Sequence, residues 1–326
     1  MSNRREVITL IGGAAAWPLA ARAQQPAMPV VGFLGSTSPD LYANQVNAHR
    51  RGLSETGHVE GRNVAIEFRW AESQYDRLPA MATDLIRRRV TVISAGSLPS
   101  ALAAKAATST IPIVFSIGVD PIAFGLVSSL NRPGGNITGI TNLNLELGPK
   151  QLEVLRELLP DATVMAALVN PTNPNAETHS NDLQAAARTL GLQLHVLHAS
   201  TEGDLDSVFA SLSQIRASAL VIGSDAFFVS RSAQLGALTA RHRVPAIYQF
   251  REFAAGGGLL SYGSSIMDSY RQVGIYTGRI LKGEQPAELP VQQSTKVELI
   301  INMKTAKALG VRLPLTLLGR ADEVIE

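Results

Sequence analysis

Hydrophobic positions fall into two kinds of run along this chain. Short, nearly continuous apolar stretches, such as Val30-Val31-Gly32-Phe33-Leu34 and Ile111-Pro112-Ile113-Val114-Phe115, alternate with longer stretches whose apolar residues recur every three or four positions. The first kind suits a strand buried on both faces, and the second suits a helix with one covered side. Read in order, the pattern predicts strand 30–35, helix 39–56, strand 63–70, helix 75–89, strand 90–94, an alanine-rich helix 99–107 and strand 111–116. A second series begins after Asn136-Ile137-Thr138-Gly139-Ile140. It gives helix 146–159, strand 163–169, helix 175–190, strand 192–197, helix 204–215, strand 219–223, helix 230–242, strand 245–249 and strand 259–262. Helix 267–281, strand 297–302 and helix 303–309 come last, without a strand series of their own, so they are expected to cross back and complete both halves. Repeated β-α alternation builds a parallel sheet covered by helices on both faces. Two such series predict an α/β protein of two Rossmann-like lobes, and 326 residues are more than one core usually supports.

The amino terminus changes where this protein is expected to work. Arg4-Arg5, the apolar stretch Val7 to Ala16 softened by Gly12 and Gly13, then Pro18 and Ala21-Arg22-Ala23, have the layout of an export signal over residues 1–23. The paired arginines favour the twin-arginine route. The apolar run is shorter than the roughly 20 residues a membrane-spanning helix needs, and no later stretch reaches about 18 uninterrupted apolar residues. The absence of cysteine excludes disulfides, thiolate nucleophiles, Cys-ligated metals and a lipid acceptor at a new terminus beginning near Gln24. The expectation is a soluble periplasmic protein without a lipid anchor or membrane insertion. The chain has 29 basic and 27 acidic side chains; losing Arg4, Arg5, Arg22 and Glu6 with the leader leaves 26 of each. A neutral chain without a basic stripe gives no footprint for nucleic acid.

Ligands of open α/β sheets bind beyond the carboxyl ends of the strands. The residues that follow the predicted strands are Ser36, Thr37 and Ser38; Gly96 and Ser97; Gly118 and Asp120; Asn170, Asn173 and Asn175; Ser224 and Asp225; Gln249; and Ser261 with Tyr262. Helices start directly after most of them, and a helix N-terminus suits a carboxylate or other anion, while Asp120 and Asp225 suit an ammonium or a hydroxyl. The same residue types also cap helices, so only their coincidence across both lobes points to a site. Catalytic signals are thin. Leu259-Leu260-Ser261-Tyr262-Gly263 lacks the first glycine of a nucleophile elbow, the six histidines are scattered, and no phosphate-binding or metal-binding motif occurs. No catalytic residue, metal or cofactor is predicted.

Phe124-Gly125-Leu126-Val127 followed by Ser129-Leu130-Asn131-Arg132-Pro133-Gly134-Gly135-Asn136-Ile137-Thr138-Gly139 resembles the signature of the tryptophan/tyrosine-type ABC-transporter substrate-binding proteins. Ile111 to Phe115 with Asp120-Pro121, Phe250 to Phe253, Gly257 to Gly263, and the closing segment Glu298 to Ile325 are similar to that family too. The leader is also similar, so the resemblance covers essentially the whole chain. It implies a type I periplasmic-binding fold, with crossovers near Ile140–Leu143, Ser264–Met267 and Thr295–Val297. Lobe 1 would then be 29–141 plus about 267–296, and lobe 2 would be 142–266 plus about 297–326. Carried over by position, Ser36, Ser38, Ser97, Asp120, Asn170 and Asp225 belong to cleft loops, with Asn144 near the first crossover. The candidate ligand-binding set is therefore Ser36, Thr37, Ser38, Gly96, Ser97, Asp120, Asn144, Asn170, Asn175, Asp225 and Tyr262. Tyr42, Phe227, Tyr248 and Tyr262 are the nearby rings. The implied partners are a small polar molecule, such as an amino acid, and an ABC permease in the inner membrane. A sensory module of the same fold, or an exported hydrolase using Ser261, are the alternatives. Asp120→Ala and Asp225→Ala are both expected to weaken ligand binding and to leave stability within about 1 kcal/mol.

Overall fold

The computed structural model describes residues 28–142, 147–294 and 297–326; the predicted leader and Asn144 lie outside the described residues. Thirteen strands are described: β1 Val30–Gly35, β2 Ala65–Trp70, β3 Val92–Ala95, β4 Ile113–Ile117, β5 Ile137–Thr141, β6 Val164–Val169, β7 Gln193–His198, β8 Leu220–Ile222, β9 Ala246–Tyr248, β10 Leu260–Gly263, β11 Gln292–Gln293, β12 Glu298–Asn302 and β13 Glu323–Ile325. The helices are α1 Ala43–Glu55, α2 Leu78–Arg87, α3 Leu98–Ala107, α4 Gly148–Leu158, α5 Ala176–Thr189, α6 Glu202–Gln214, α7 Ala226–Ser230, α8 Ser232–Arg241, α9 Arg251–Ala255, α10 Ile266–Leu281, α11 Met303–Leu309 and α12 Leu315–Leu318.

The strands form two sheets, ordered β11-β5-β4-β3-β1-β2 and β13-β12-β10-β9-β8-β6-β7. Pairing is parallel throughout, except that β12 runs antiparallel to β10. These are the two α/β lobes that the alternating pattern predicts. Each sheet is covered on both faces, which is why its strands read as unbroken apolar runs. In β4, Ile113 and Phe115 join the core beneath α2 and α3, while Val114 between them joins Val273, Tyr276 and Ile280 of α10 on the other face. The second sheet repeats this arrangement. Met165, Ala167 and Val221 pack with Leu152, Leu155 and Leu183 of α4 and α5, whereas Ala166, Leu168 and Leu220 pack with Leu205, Phe209 and Leu235 of α6 and α8.

The chain passes between the sheets after β5, between β10 and α10, and between β11 and β12. α10 follows the second sheet but packs on the first, against α1, β3, β4 and β5. Its contact with α1 is made by glycines. A Cβ at Gly274 would run into the His49 carbonyl, and one at Gly52 into the Arg271 carbonyl, so the two helix backbones touch. One apolar cluster continues from lobe to lobe, with Phe33, Tyr42, Val46 and Tyr270 joining Phe227, Tyr248 and Phe250.

The departures from the predicted elements are local. The stretch 75–89 is a 3-10 turn, Tyr75–Arg77, before α2 begins with Pro79 in its first turn, where the missing N–H of proline costs nothing. β11, β13, α7, α9 and α12 have two to five residues each, too few to show a period in the sequence.

Candidate functional site

The carboxyl ends of β3, β4, β6, β8 and β9 converge from the two lobes on one partly open cavity of about 60 Å³. At about 10–15 Å³ per water it has room for four to six waters, the scale of a small polar molecule's hydration. The first lobe contributes Tyr42, Gly96 to Pro99 and Ser116 to Val119, and Asn142 lies at the first crossover. The second contributes Asn173, Asn175, Ser224 to Ala226, Val229, Gln249 and Phe250, and α10 adds Ile266 and Tyr270.

Asp225 is the one side chain of the carboxylate, Lys, Arg or His type among these lining residues, and it is 5% exposed. Four donors hold it. Oδ1 accepts from Asn170 Nδ2 at 3.0 Å and from the Phe227 N–H at 2.9 Å. Oδ2 accepts from Asn173 Nδ2 at 2.6 Å and from the Tyr75 hydroxyl at 2.8 Å. The Phe227 bond makes Asp225 the N-cap of α7. The charge therefore sits in a web of neutral donors, with no cation among the cavity residues. The phenols around it stay protonated. Burial first, and then the Asp225 charge, push Tyr75 and Tyr248 well above the usual phenol range, and burial raises Tyr42 and Tyr270.

On the opposite wall, α3 presents its N-terminus. Ser97 caps it, with its Oγ accepting from Ser100 N at 3.3 Å; Pro99 has no N–H, so Leu98 N–H is the donor the first turn leaves over. Tyr270 donates to the Gly96 carbonyl at 2.7 Å, a contact so close that a Cβ at Gly96 would meet the phenol oxygen at 2.6 Å. Asn142 Oδ1 accepts from Ser269 at 2.6 Å, and Gln249 Nε2 donates to Ser224 Oγ at 3.0 Å, which fixes both amides at the cavity wall. One wall thus offers hydrogen-bond donors and a positive helix end, and the other offers a carboxylate.

Of the residues predicted from sequence, Gly96, Ser97, Asn175 and Asp225 line the cavity. Asn170 stands behind it: its amide donates to Asp225, and its Oδ1 accepts from the Thr172 backbone and hydroxyl at 3.0 and 2.8 Å. Ser36 and Thr37 are fully buried, with side-chain oxygens that hydrogen-bond to nothing, and they do not line the cavity, nor does Ser38. The chain turns there to let Tyr42 through, and Ser38 O accepts from Tyr42 N at 3.2 Å. Asp120 is spent on a local turn, accepting from Ile122 N at 2.8 Å. Tyr262 packs into the core of the second lobe. Ser261 is 1% exposed and its Oγ has no partner, so no base stands within reach to activate it. Sequence reasoning missed Tyr75, Asn142 and Tyr270. Tyr75 and Tyr270 follow β2 and β10, but both lie inside helical turns rather than in strand-end loops, so the strand-end rule did not reach them.

Residues 30–325 match the family described as ABC transporter substrate binding protein, and the chain belongs to that family. A tyrosine-binding protein of Clostridioides difficile (strain R20291) is 27% identical over 267 residues, which span 80% of this chain and 75% of that protein. Among solved structures, an ABC domain in complex with L-Trp from Streptococcus pneumonia is similar with a TM-score of 0.81, at 24% identity over 91% of this chain and 99% of that one. A conserved domain protein from Vibrio cholerae gives 0.83 at the same identity and coverage. A ligand-free, open substrate-binding protein from Clostridium difficile, again at that identity and coverage, gives 0.62. At this identity these likenesses show the fold alone. Among the described residues, no helix is long and apolar enough to cross a membrane.

Proposed function

We propose that this member of the ABC transporter substrate-binding family is the exported, periplasmic receptor of an importer, that its lobes close on a small zwitterion, and that the closed form delivers this ligand to a membrane permease. The observation that carries the reading is that the cavity's one carboxylate side chain, Asp225, and the start of α3 line the same cavity from the two lobes. An ammonium group sits against Asp225, and a carboxylate sits at the Leu98 N–H that opens α3 and at the Ser97 hydroxyl. The tyrosine named for the Clostridioides difficile relative and the L-Trp of the pneumococcal complex support an α-amino acid as the ligand class. The working halves are 29–141 with about 267–296, and 142–266 with about 297–326, joined by the three crossovers. Ligand binding biases their open and closed arrangements, and the receptor does no chemistry of its own.

The test is a thermal-shift screen of the chain from Gln24 against amino acids, amines, sugars and carboxylic acids, including the deaminated counterpart of each amino acid. A ligand at 100 times its dissociation constant stabilises the folded state by about 2.7 kcal/mol, a shift of a few degrees. A second anion about 4 Å from Asp225 costs up to about 4 kcal/mol at an effective dielectric of 20, so the deaminated acids should give no shift where the amino acid does. Equal shifts from an amino acid and its deaminated acid would refute the zwitterion reading.

A further inference from the structure

Tyr75 belongs to the first lobe, and its hydroxyl donates to Asp225 of the second at 2.8 Å. Among the hydrogen bonds between described residues, it is the one that ties a loop of one lobe to a loop of the other across the cavity. Everything else about Tyr75 is anchored on its own side. The ring packs into the core of the first lobe. The backbone leading to it is pinned by Glu72 N to Thr37 O at 3.1 Å and by Ser73 N to Ser36 O at 2.7 Å. Glu72 and Ser73 both have left-handed backbones, with φ of 53° and 65°, although neither is glycine. Consecutive strained residues persist only where the surroundings impose them, and they gather at clamps and switches.

A phenol held rigidly by one lobe and bonded to a carboxylate held rigidly by the other can keep that bond only while the lobes meet. Asp225 has three further donors, and all three (Asn170, Asn173 and the Phe227 N–H) lie in its own lobe. Opening the cleft therefore removes Tyr75 from Asp225 and leaves the rest of the web in place.

We infer that Tyr75 is a positioning residue that latches the closed receptor: it completes the donor set of Asp225 when the lobes meet, and so couples closure to the group that faces the ligand. The inference rests on the receptor reading above, and it adds which contact sets the balance between open and closed forms. Tyr75→Phe keeps the ring packing and three of the four donors, so the fold is retained. Losing a hydrogen bond to a charged group lowers the closed-to-open ratio about tenfold. A ligand then leaves about tenfold faster while its association rate changes little. A purely structural role for Tyr75 would move neither ratio nor release rate.

The chain has no cysteine, so one spin label can be placed on each lobe with no background, at Thr83→Cys on α2 and Ala210→Cys on α6, both exposed. Double electron–electron resonance then reads the inter-lobe distance in the parent and in Tyr75→Phe, without ligand and with L-tyrosine or L-tryptophan added. The exposed neighbour variant Asp76→Ala serves as control. The expected result is a closed population reduced about tenfold relative to the open one by Tyr75→Phe, and left unchanged by Asp76→Ala. An unchanged ratio in Tyr75→Phe, an equal loss in Asp76→Ala, or a parent whose lobes never approach the separation seen here would overturn the latch. If Tyr75→Phe opens the protein while neither amino acid shifts the parent's ratio, the latch stands and the aromatic amino-acid form of the receptor reading fails.

Discussion

Removing the Asp225 carboxylate should cost several times what an ordinary loop substitution costs. Asp225→Ala strips the acceptor from Asn170 Nδ2, Asn173 Nδ2, the Phe227 N–H and the Tyr75 hydroxyl. The Phe227 bond is a helix N-cap, worth about 1 kcal/mol. Asn170 and Asn173 are both buried, and each amide left without its acceptor costs about 1–3 kcal/mol. The Tyr75 hydroxyl is part-exposed, so water can replace Asp225 as its acceptor and it adds little. The whole comes to about 4 kcal/mol. Asp120→Ala gives up one bond, to Ile122 N in a surface turn, and stays within about 1 kcal/mol. The expectation of equal, small effects at the two aspartates is thereby revised for Asp225, because the web around it was invisible in the sequence. Urea unfolding of the chain from Gln24, followed by far-ultraviolet circular dichroism, separates the two variants. In a thermal scan the Asp225→Ala transition should fall by roughly 8–16 °C. Asp225→Asn keeps an oxygen for Phe227 and Asn170 but turns an NH2 towards Asn173 and Tyr75, so it should lie between, near 2 kcal/mol. Asp225→Ala unfolding within 1 kcal/mol of Asp120→Ala would refute the reasoning, since the carboxylate would then not be what holds the loops.

Two further outcomes follow from buried groups away from the cavity. Gly274→Ala places a methyl group against the His49 carbonyl and should destabilise the protein by about 3 kcal/mol, whereas a tolerated alanine in chemical denaturation would mean that α1 and α10 can separate freely. Burial alone lowers His179 to about 4, and burial, followed by the Arg50 charge, lowers His49 to about 3, against an ordinary 6.5. The unfolded chain then binds two protons below pH 6.5 that the folded chain refuses. Stability is complete above about 6.5 and falls as pH drops towards 4, by about 4 kcal/mol between pH 7 and pH 5. Because both ring nitrogens of His179 lack partners, His179→Leu should be neutral or stabilising at pH 7 and should remove about half of that slope. A slope unchanged in His179→Leu would show that other groups carry it.

The two lobes were legible in the sequence because burial on both faces of a parallel sheet leaves an unmistakable run such as Ile113-Val114-Phe115, and each run was followed by a helical period. The site was only partly legible. The strand-end rule picks out Ser97, Asn175 and Asp225, which line the cavity, because loops after parallel strands lie at the carboxyl edge of the sheet. It could not rank them against Ser36 or Asp120, because polar residues at a strand end look alike whether they face a cavity or close a turn. The segment with the most specific resemblance, Phe124 to Gly139, is scaffold. Asn136 Nδ2 donates to the Thr108 and Ile111 carbonyls at 3.2 and 2.7 Å, Gly134 and Gly135 take positive φ, and Gly139 lies flush on Phe115. It marks the family through its turn geometry at the amino end of β5, opposite the cavity.

What sequence reading cannot supply is which lobe a residue moves with, and here that decides its role. α10 begins directly after the crossover at Ser264-Ser265, yet the close backbone contact of Gly274 with α1 fixes it to the first lobe. Tyr270, one turn into α10, therefore travels with Gly96, which it hydrogen-bonds. Gln249 and Phe250 travel with Asp225. On the receptor reading, the cavity is divided between two moving halves, and its aromatic and carboxylate walls meet only when those halves do. Interiors packed this tightly do not deform continuously. Any change in the cavity must therefore be taken up at the three crossovers, the first turn of α10 among them, so a ligand that touches both walls acts on the hinge without contacting it.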